Sequence, residues 1–166
     1  MNGNKWKRKL ISGMFRVRAC QSITIIKKNK RIMAISVSKY LGNGRVEATH
    51  VASGHKTITD AVKAVGGKGE YPTPVDVLGQ SLANCALTVM AIRASKEGID
   101  LTGSYAEVER SEESMETFSV TKLNVVFHMK GNFDEKTRRK LETFAHKGCF
   151  VGNTLTAEKN FKFIYE

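Results

Sequence analysis

Apolar and polar positions divide residues 34–166 into a succession of short elements. Residues 34–41 read as a strand, with Ile35, Val37 and Leu41 on one face, Lys39 interrupting it and Tyr40 on the other. Gly42-Asn43-Gly44 is a hairpin signal. Residues 45–52 therefore return as a second strand, and 55–59 form a short third that closes at Asp60. Gly66-Gly67-Lys68-Gly69 is a flexible loop without phosphate-loop spacing. A helix then begins with Thr73 as N-cap, Pro74 in its first position and Asp76 in its third, and runs to about Glu97, where Gly98 supplies the stop. Leu78, Leu82, Cys85, Ala86 and Val89 make one helical stripe, and Val77, Met90 and Ala91 widen it. So broad an apolar surface predicts a buried central helix.

The second half repeats the alternation. Residues 104–110 read as a strand, 111–116 as a polar turn, and 118–130 as a longer strand with Leu123, Val125, Phe127 and Met129 facing the core. Residues 134–147 form a second helix with a narrower stripe, Leu141, Phe144 and Ala145, ended by Gly148. Residues 160–165 close the chain as a strand. The order is β-β-β-α-β-β-α-β, an α+β domain that opens on an antiparallel β-meander.

Charge separates this domain from what precedes it. The 166 residues carry a formal net charge of +11, yet residues 1–32 hold ten of the 27 basic side chains and no acid, leaving 17 basic against 16 acidic residues in 33–166. The expected organisation is a basic extension, 1–32, and a charge-balanced domain, 33–166. Phosphate attraction needs a clustered positive face, so nucleic-acid binding by the domain loses its support, and a nucleic-acid reading is confined to residues 1–32. Those residues also fit a targeting segment, an anchor to an anionic surface, or a translated upstream extension with Met33 as the natural start. No stretch approaches the roughly 20 apolar residues of a membrane span.

Three cysteines, Cys20, Cys85 and Cys149, are too few and too odd for a disulfide framework, which points to a reducing, cytoplasmic setting. Cys85 lies mid-helix on the apolar stripe, where core filler and reagent both fit. Cys149 follows a glycine helix stop. If residues 149–155 form a helical turn, its free N–H groups favour a thiolate there; a small residue tucked at a corner fits equally well. His146-x-x-Cys149 is half a zinc site with no second half, and His50, His55 and His128 have no evident partners for nucleophilic catalysis.

The ordered set of motifs resembles the OsmC (osmotically inducible protein C) family, which includes the organic hydroperoxide resistance proteins. Thr73-Pro74-Val75-Asp76 followed after eight residues by Cys85 is similar to the family's central-helix pattern, and Gly42-Asn43-Gly44-Arg45 to its first hairpin. Gly98-Ile99-Asp100-Leu101 is similar to its helix-to-strand link, and residues 141–155, around Cys149, to its second-cysteine region. The resemblance spans about residues 33–166. It implies an OsmC-like fold in an intertwined homodimer with sites at the subunit interface. It also implies that Cys85 attacks an organic hydroperoxide, that Cys149 resolves the sulfenic acid as a disulfide, and that a dithiol such as a lipoyl group resets the pair, with no cofactor or metal. Asp76 and Arg45 are the acid and the meander arginine expected beside Cys85. Val75, where the family's acid often stands, and Phe150, in place of a proline, depart from the pattern. They motivate the alternative of a non-enzymatic dimer that binds a small apolar or thiol-reactive ligand.

Overall fold

A computed structural model describes residues 34–109 and 111–166; Cys20 and the basic run 1–32 lie outside them. Ser36–Glu166 form one compact unit. Strands β1 (Ser36–Gly42), β2 (Arg45–His50) and β3 (Lys56–Thr59) make a three-stranded antiparallel sheet in the order of the chain. The β1–β2 turn depends on positive φ at Gly42, Asn43 and Gly44. At Gly44 the need is also spatial: a Cβ there would lie 2.7 Å from Cβ of Ala61, whose N–H donates to the Gly44 carbonyl at 3.0 Å.

Helix α1 (Pro74–Ser95) starts as expected. The Thr73 hydroxyl accepts the Asp76 N–H at 3.1 Å, and the Asp76 carboxylate accepts the Thr73 N–H at 2.7 Å, a reciprocal capping box with Pro74 just inside it. Its buried face differs from the expected stripe. Gly79, Leu82, Ala83, Ala86, Met90 and Ala94 are buried, while Leu78, Cys85 and Val89 lie half-buried on the flank. The face is rotated toward small residues because they admit neighbours closely: a Cβ at Gly79 would come within 2.8 Å of Val108.

That face packs on a second sheet of β4 (Tyr105–Val108), β5 (Glu112–Ser114), β6 (Ser119–Met129) and β7 (Glu158–Tyr165). Leu123, Val125, Phe127 and Met129 of β6 are buried in the predicted alternation and meet α1 together with Leu141 and Ala145 of α2 (Glu135–Lys147). Strands β4 and β5 pair antiparallel with successive stretches of β6. The expected polar turn at 111–116 is thus partly strand. Its pairing rests on backbone bonds, and the polar run Glu112-Glu113-Ser114 gives no apolar alternation to reveal it. Phe118, expected to open β6, instead holds φ +46° in the turn with its ring exposed. Strand β7 runs parallel to β6, joined by a crossover through α2 and the short helix α3 (Phe150–Thr154).

Contrary to the sequence expectation, α1 is long and apolar enough for a membrane span by length and composition alone. Here it is the central helix of a core, although Ile92 and the polar Ser81, Asn84 and Thr88 face outward. In this single chain the helix is therefore covered on one side rather than all round.

On the sheet's other face His128 stacks on Tyr105 with ring centroids 4.3 Å apart. Its Nε2 lies 3.0 Å from Glu107 and its Nδ1 3.2 Å from Glu166. A neutral imidazole donates from one nitrogen only, so both bonds form only when the ring is charged. The Glu166 and Glu107 contacts accordingly raise the His128 pKa above its ordinary value. The stabilisation is complete below the unfolded-chain value, about 6.5, and is lost as pH rises through the raised folded value. A His128→Gln variant should lie furthest below the wild type in melting temperature near pH 5.5, with the gap closing toward about pH 9. Thermal unfolding followed by circular dichroism checks this, and a gap that does not change with pH contradicts it.

Candidate functional site

Two cysteines 64 positions apart meet on α1. Cys85 is half-buried in the fourth turn of that helix and Cys149 is fully buried; both are free thiols. Gly148 ends α2, and Cys149 is the N-cap of α3, the helical turn envisaged from the sequence. The Gly152 N–H donates to Cys149 Sγ at 3.2 Å, and the thiol points at the Leu82 carbonyl, one turn before Cys85, at 3.9 Å. Cys85 is close enough to act on the ionisation of Cys149.

The balance at Cys149 is opposite to the expectation of a favoured thiolate. Burial pushes its thiol pKa up, and that outweighs the Gly152 and Val151 N–H groups that favour the anion; the neighbouring Cys85 adds to the rise. Cys149 is an enclosed thiol, and Cys85 is the less buried residue of the two.

Arg45 and Asp76 are placed elsewhere. Arg45 opens β2 and donates from Nε and Nη2 to the two oxygens of Asp60, both at 2.7 Å, and from Nη2 to Glu70. The Tyr71 ring lies 4.6 Å from its guanidinium carbon. Asp60 is fully buried, takes a further N–H from Glu70 at 3.0 Å, and is held down to about 2, chiefly by the Arg45 hydrogen bonds. Asp76 is engaged by the Thr73 N–H and hydroxyl. Within one chain neither side chain is paired with a cysteine; Arg45 pairs with Asp60, Glu70 and Tyr71, and Asp76 with Thr73.

Asp60 and Glu70 were not anticipated as partners of Arg45. The β2–β3 register carried a signal for the first: Val46 pairs with Thr59, so the next pair outward is Arg45 with Asp60. Glu70 comes from the loop before α1, and no spacing announces it. An open cavity of about 620 Å³ lies between Asp60–Val62, the first turns of α1 and the β4–β5 region; Val75, Asp76, Val108 and Glu113 line it, and neither Cys85 nor Cys149 does. Among the described residues no group of three or more His, Cys, Asp or Glu side chains is arranged to hold a metal ion.

The OsmC-like protein family model matches residues 67–163. A crystal structure from Psychrobacter arcticus 273-4, of a protein named for osmotic stress induction and a detoxification response, is 30% identical, with a TM-score of 0.76, over 83% of this chain and 99% of that one. An organic hydroperoxide resistance protein OsmC of Legionella pneumophila shares the fold at 17% identity and a TM-score of 0.58, over 82% and 99% of the two chains. An OsmC-like protein of Mycoplasma pneumoniae does so at 17% and 0.65, over 78% and 94%. No curated protein sequence matches. The chain belongs to the OsmC-like family, and its α+β fold is the family's.

The Asp60 pair carries its own pH signature. A carboxyl held at about 2 contributes stability that is complete above the unfolded value near 4 and is lost as pH falls through about 2. Asp60→Asn leaves Arg45 without its buried partner, so the variant should melt well below the wild type at pH 5–7. The two melting temperatures should draw together as pH falls below about 4 and meet near or below about pH 2. Equal melting temperatures at neutral pH would show that the pair does not hold the β3 end in place.

Proposed function

We propose that this OsmC-like protein reduces organic hydroperoxides with the Cys85–Cys149 pair. The carrying observation is the meeting of two free thiols from separate elements, one half-buried and one buried. In the first step Cys85 sulfur, as thiolate, attacks the terminal peroxide oxygen. An S–O bond forms, the O–O bond breaks, and the alkoxide leaves as an alcohol after taking a proton. In the second, Cys149 sulfur attacks Cys85 Sγ. The S–S bond forms and the S–O bond breaks, and the oxygen leaves as water with the proton that Cys149 gives up. The two thiols supply both electrons. An external dithiol, such as a lipoyl group in the cytoplasm, restores them by thiol–disulfide exchange.

The working unit in this reading is a homodimer. Ile35, Val37, Tyr40, Leu41 and Val51, in and beside the meander, are exposed, as is Ile92 on the outer side of α1; apolar surface of this kind favours a partner. A second copy is also the route by which a meander cation such as Arg45 would reach Cys85, since within one chain Arg45 lies against Asp60, Glu70 and Tyr71 and not against a cysteine. That engagement, with Asp76 held in the capping box, favours a second reading, a non-enzymatic dimer that binds a small apolar or thiol-reactive ligand.

Reduced protein treated with cumene hydroperoxide and mapped by mass spectrometry separates the two. The peroxidase reading expects stoichiometric peroxide loss with a Cys85–Cys149 bond, no consumption by Cys85→Ser, and turnover at least about tenfold lower in Cys149→Ser. Unconsumed peroxide and two intact thiols in the wild type reject it in favour of the binding reading. For the dimer, sedimentation should give about twice the 18.4 kDa chain mass. Val37→Asp, which places a charge on the exposed meander face, should shift it toward the monomer; a wild-type monomer contradicts the assembly.

A further inference from the structure

Cys149 reaches α1 on a corner, and the residue before it is bare for a spatial reason. Gly148 holds φ −92° and ψ −11°, a backbone that any residue adopts, so conformational freedom does not account for a glycine there. Space does. A Cβ built at 148 would lie 2.7 Å from Cγ1 of Val89 and 2.9 Å from the Phe144 carbonyl oxygen. Both are closer than real Cβ contacts, so a side chain at 148 displaces the corner or its neighbour. Val89 follows Cys85 by one helical turn, so this close approach of the corner to α1 lies one turn from Cys85. The seat beyond is ordinary: a Cβ at Gly152 would lie 3.4 Å from Cys149 Sγ and from Leu82 Cδ1.

We propose that Gly148 is a positioning residue for the resolving step: the contact of its bare Cα with Val89 sets how close Cys149 Sγ stands to an oxidised Cys85. This rests on the peroxidase reading and deepens it. Cys85 sulfenic acid has two fates. Cys149 can attack it, forming S–S and releasing water. Alternatively, a second hydroperoxide transfers oxygen to the same sulfur, forming a second S–O bond, breaking O–O and leaving an alcohol and a sulfinic acid. The first fate is intramolecular and depends steeply on geometry, and a misplacement of about 1 Å can cost on the order of a hundredfold in rate. The second depends on peroxide concentration and leaves Cys149 out. Gly148 thereby governs the partition.

The test uses the full chain, reduced, as wild type, Gly148→Ala, Val89→Ala and the Val89→Ala/Gly148→Ala double variant. Each is mixed with excess cumene hydroperoxide, and rapid quenching and mass spectrometry count thiol, sulfenic, disulfide and sulfinic forms of Cys85. Gly148→Ala should slow disulfide closure about tenfold or more while the first oxidation of Cys85 falls by less than about twofold, and sulfinic acid should accumulate. Removing Cγ1 in the double variant should restore part of the closure rate, the part set by Val89, while the approach to the Phe144 carbonyl remains. A wild type that forms no disulfide fails the peroxidase reading and this inference with it. A wild type that closes, beside a Gly148→Ala variant that closes as fast, fails the inference alone. So does a Gly148→Ala variant that loses both steps together, or its fold, without recovery on Val89→Ala.

Discussion

Close approach to α1 is the constraint on which the rest of the structure depends. The helix meets its neighbours through Gly79, Ala83, Ala86 and Ala94 as much as through Leu82 and Met90, and small residues let a sheet and a second helix come near. Strand β4 reaches the helix at Gly79, where Val108 would collide with a Cβ, and α2 ends against it at Gly148. The two cysteines meet because of that spacing. Cys85 sits on the flank of the packed face rather than at its centre, which leaves it half-open, and the α2–α3 corner brings Cys149 to the same flank from a helix end 64 residues later.

The meander is attached differently. Its strands bury no large apolar side chain, and its base is secured by polar bonds: Arg45 to Asp60 and Glu70, Asp60 N–H to the Pro72 carbonyl, and Ala61 N–H to Gly44. Asp60 is a fully buried carboxylate that the fold tolerates because a guanidinium grips both of its oxygens and a backbone N–H adds a third bond. The segment 60–73 is thereby held on both sides before α1 begins, so the start of the cysteine-bearing helix is set by an ion pair as well as by its capping box.

Much of this was legible in the sequence where one residue's chemistry has one local consequence. Thr73, Pro74 and Asp76 announce the start of α1, and the alternation from Leu123 to Met129 announces the buried side of β6. Signals failed where structure depends on partners. Strand β5 has no apolar period, and Phe118 looks like a strand residue but serves a turn. The buried face of α1 was misplaced by a fraction of a turn because hydrophobicity underweights Gly79 and Ala83, whose role is to be small. The nearness of Cys85 to Cys149 was readable only through family resemblance, since no local period relates two positions so far apart.

The electrostatics of the pair is the least local property. Cys149 receives the helical-turn N–H that favours an anion, yet burial outweighs it, because removing a sulfur from water disfavours the charge more than one or two N–H groups restore. A thiol kept neutral and enclosed beside a second sulfur is consistent with the resolving role proposed for it. In the proposed peroxidase reading, a cation that activates Cys85 comes from outside the pair. Arg45 is committed to two carboxylates through Nε and Nη2, and Nη1 takes part in none of those bonds. Asp60 takes the Nε–Nη2 edge and Glu70 the second Nη2 N–H, so Nη1 is the group through which, in the proposed dimer, Arg45 would reach a sulfur of a second copy without giving up its own partners.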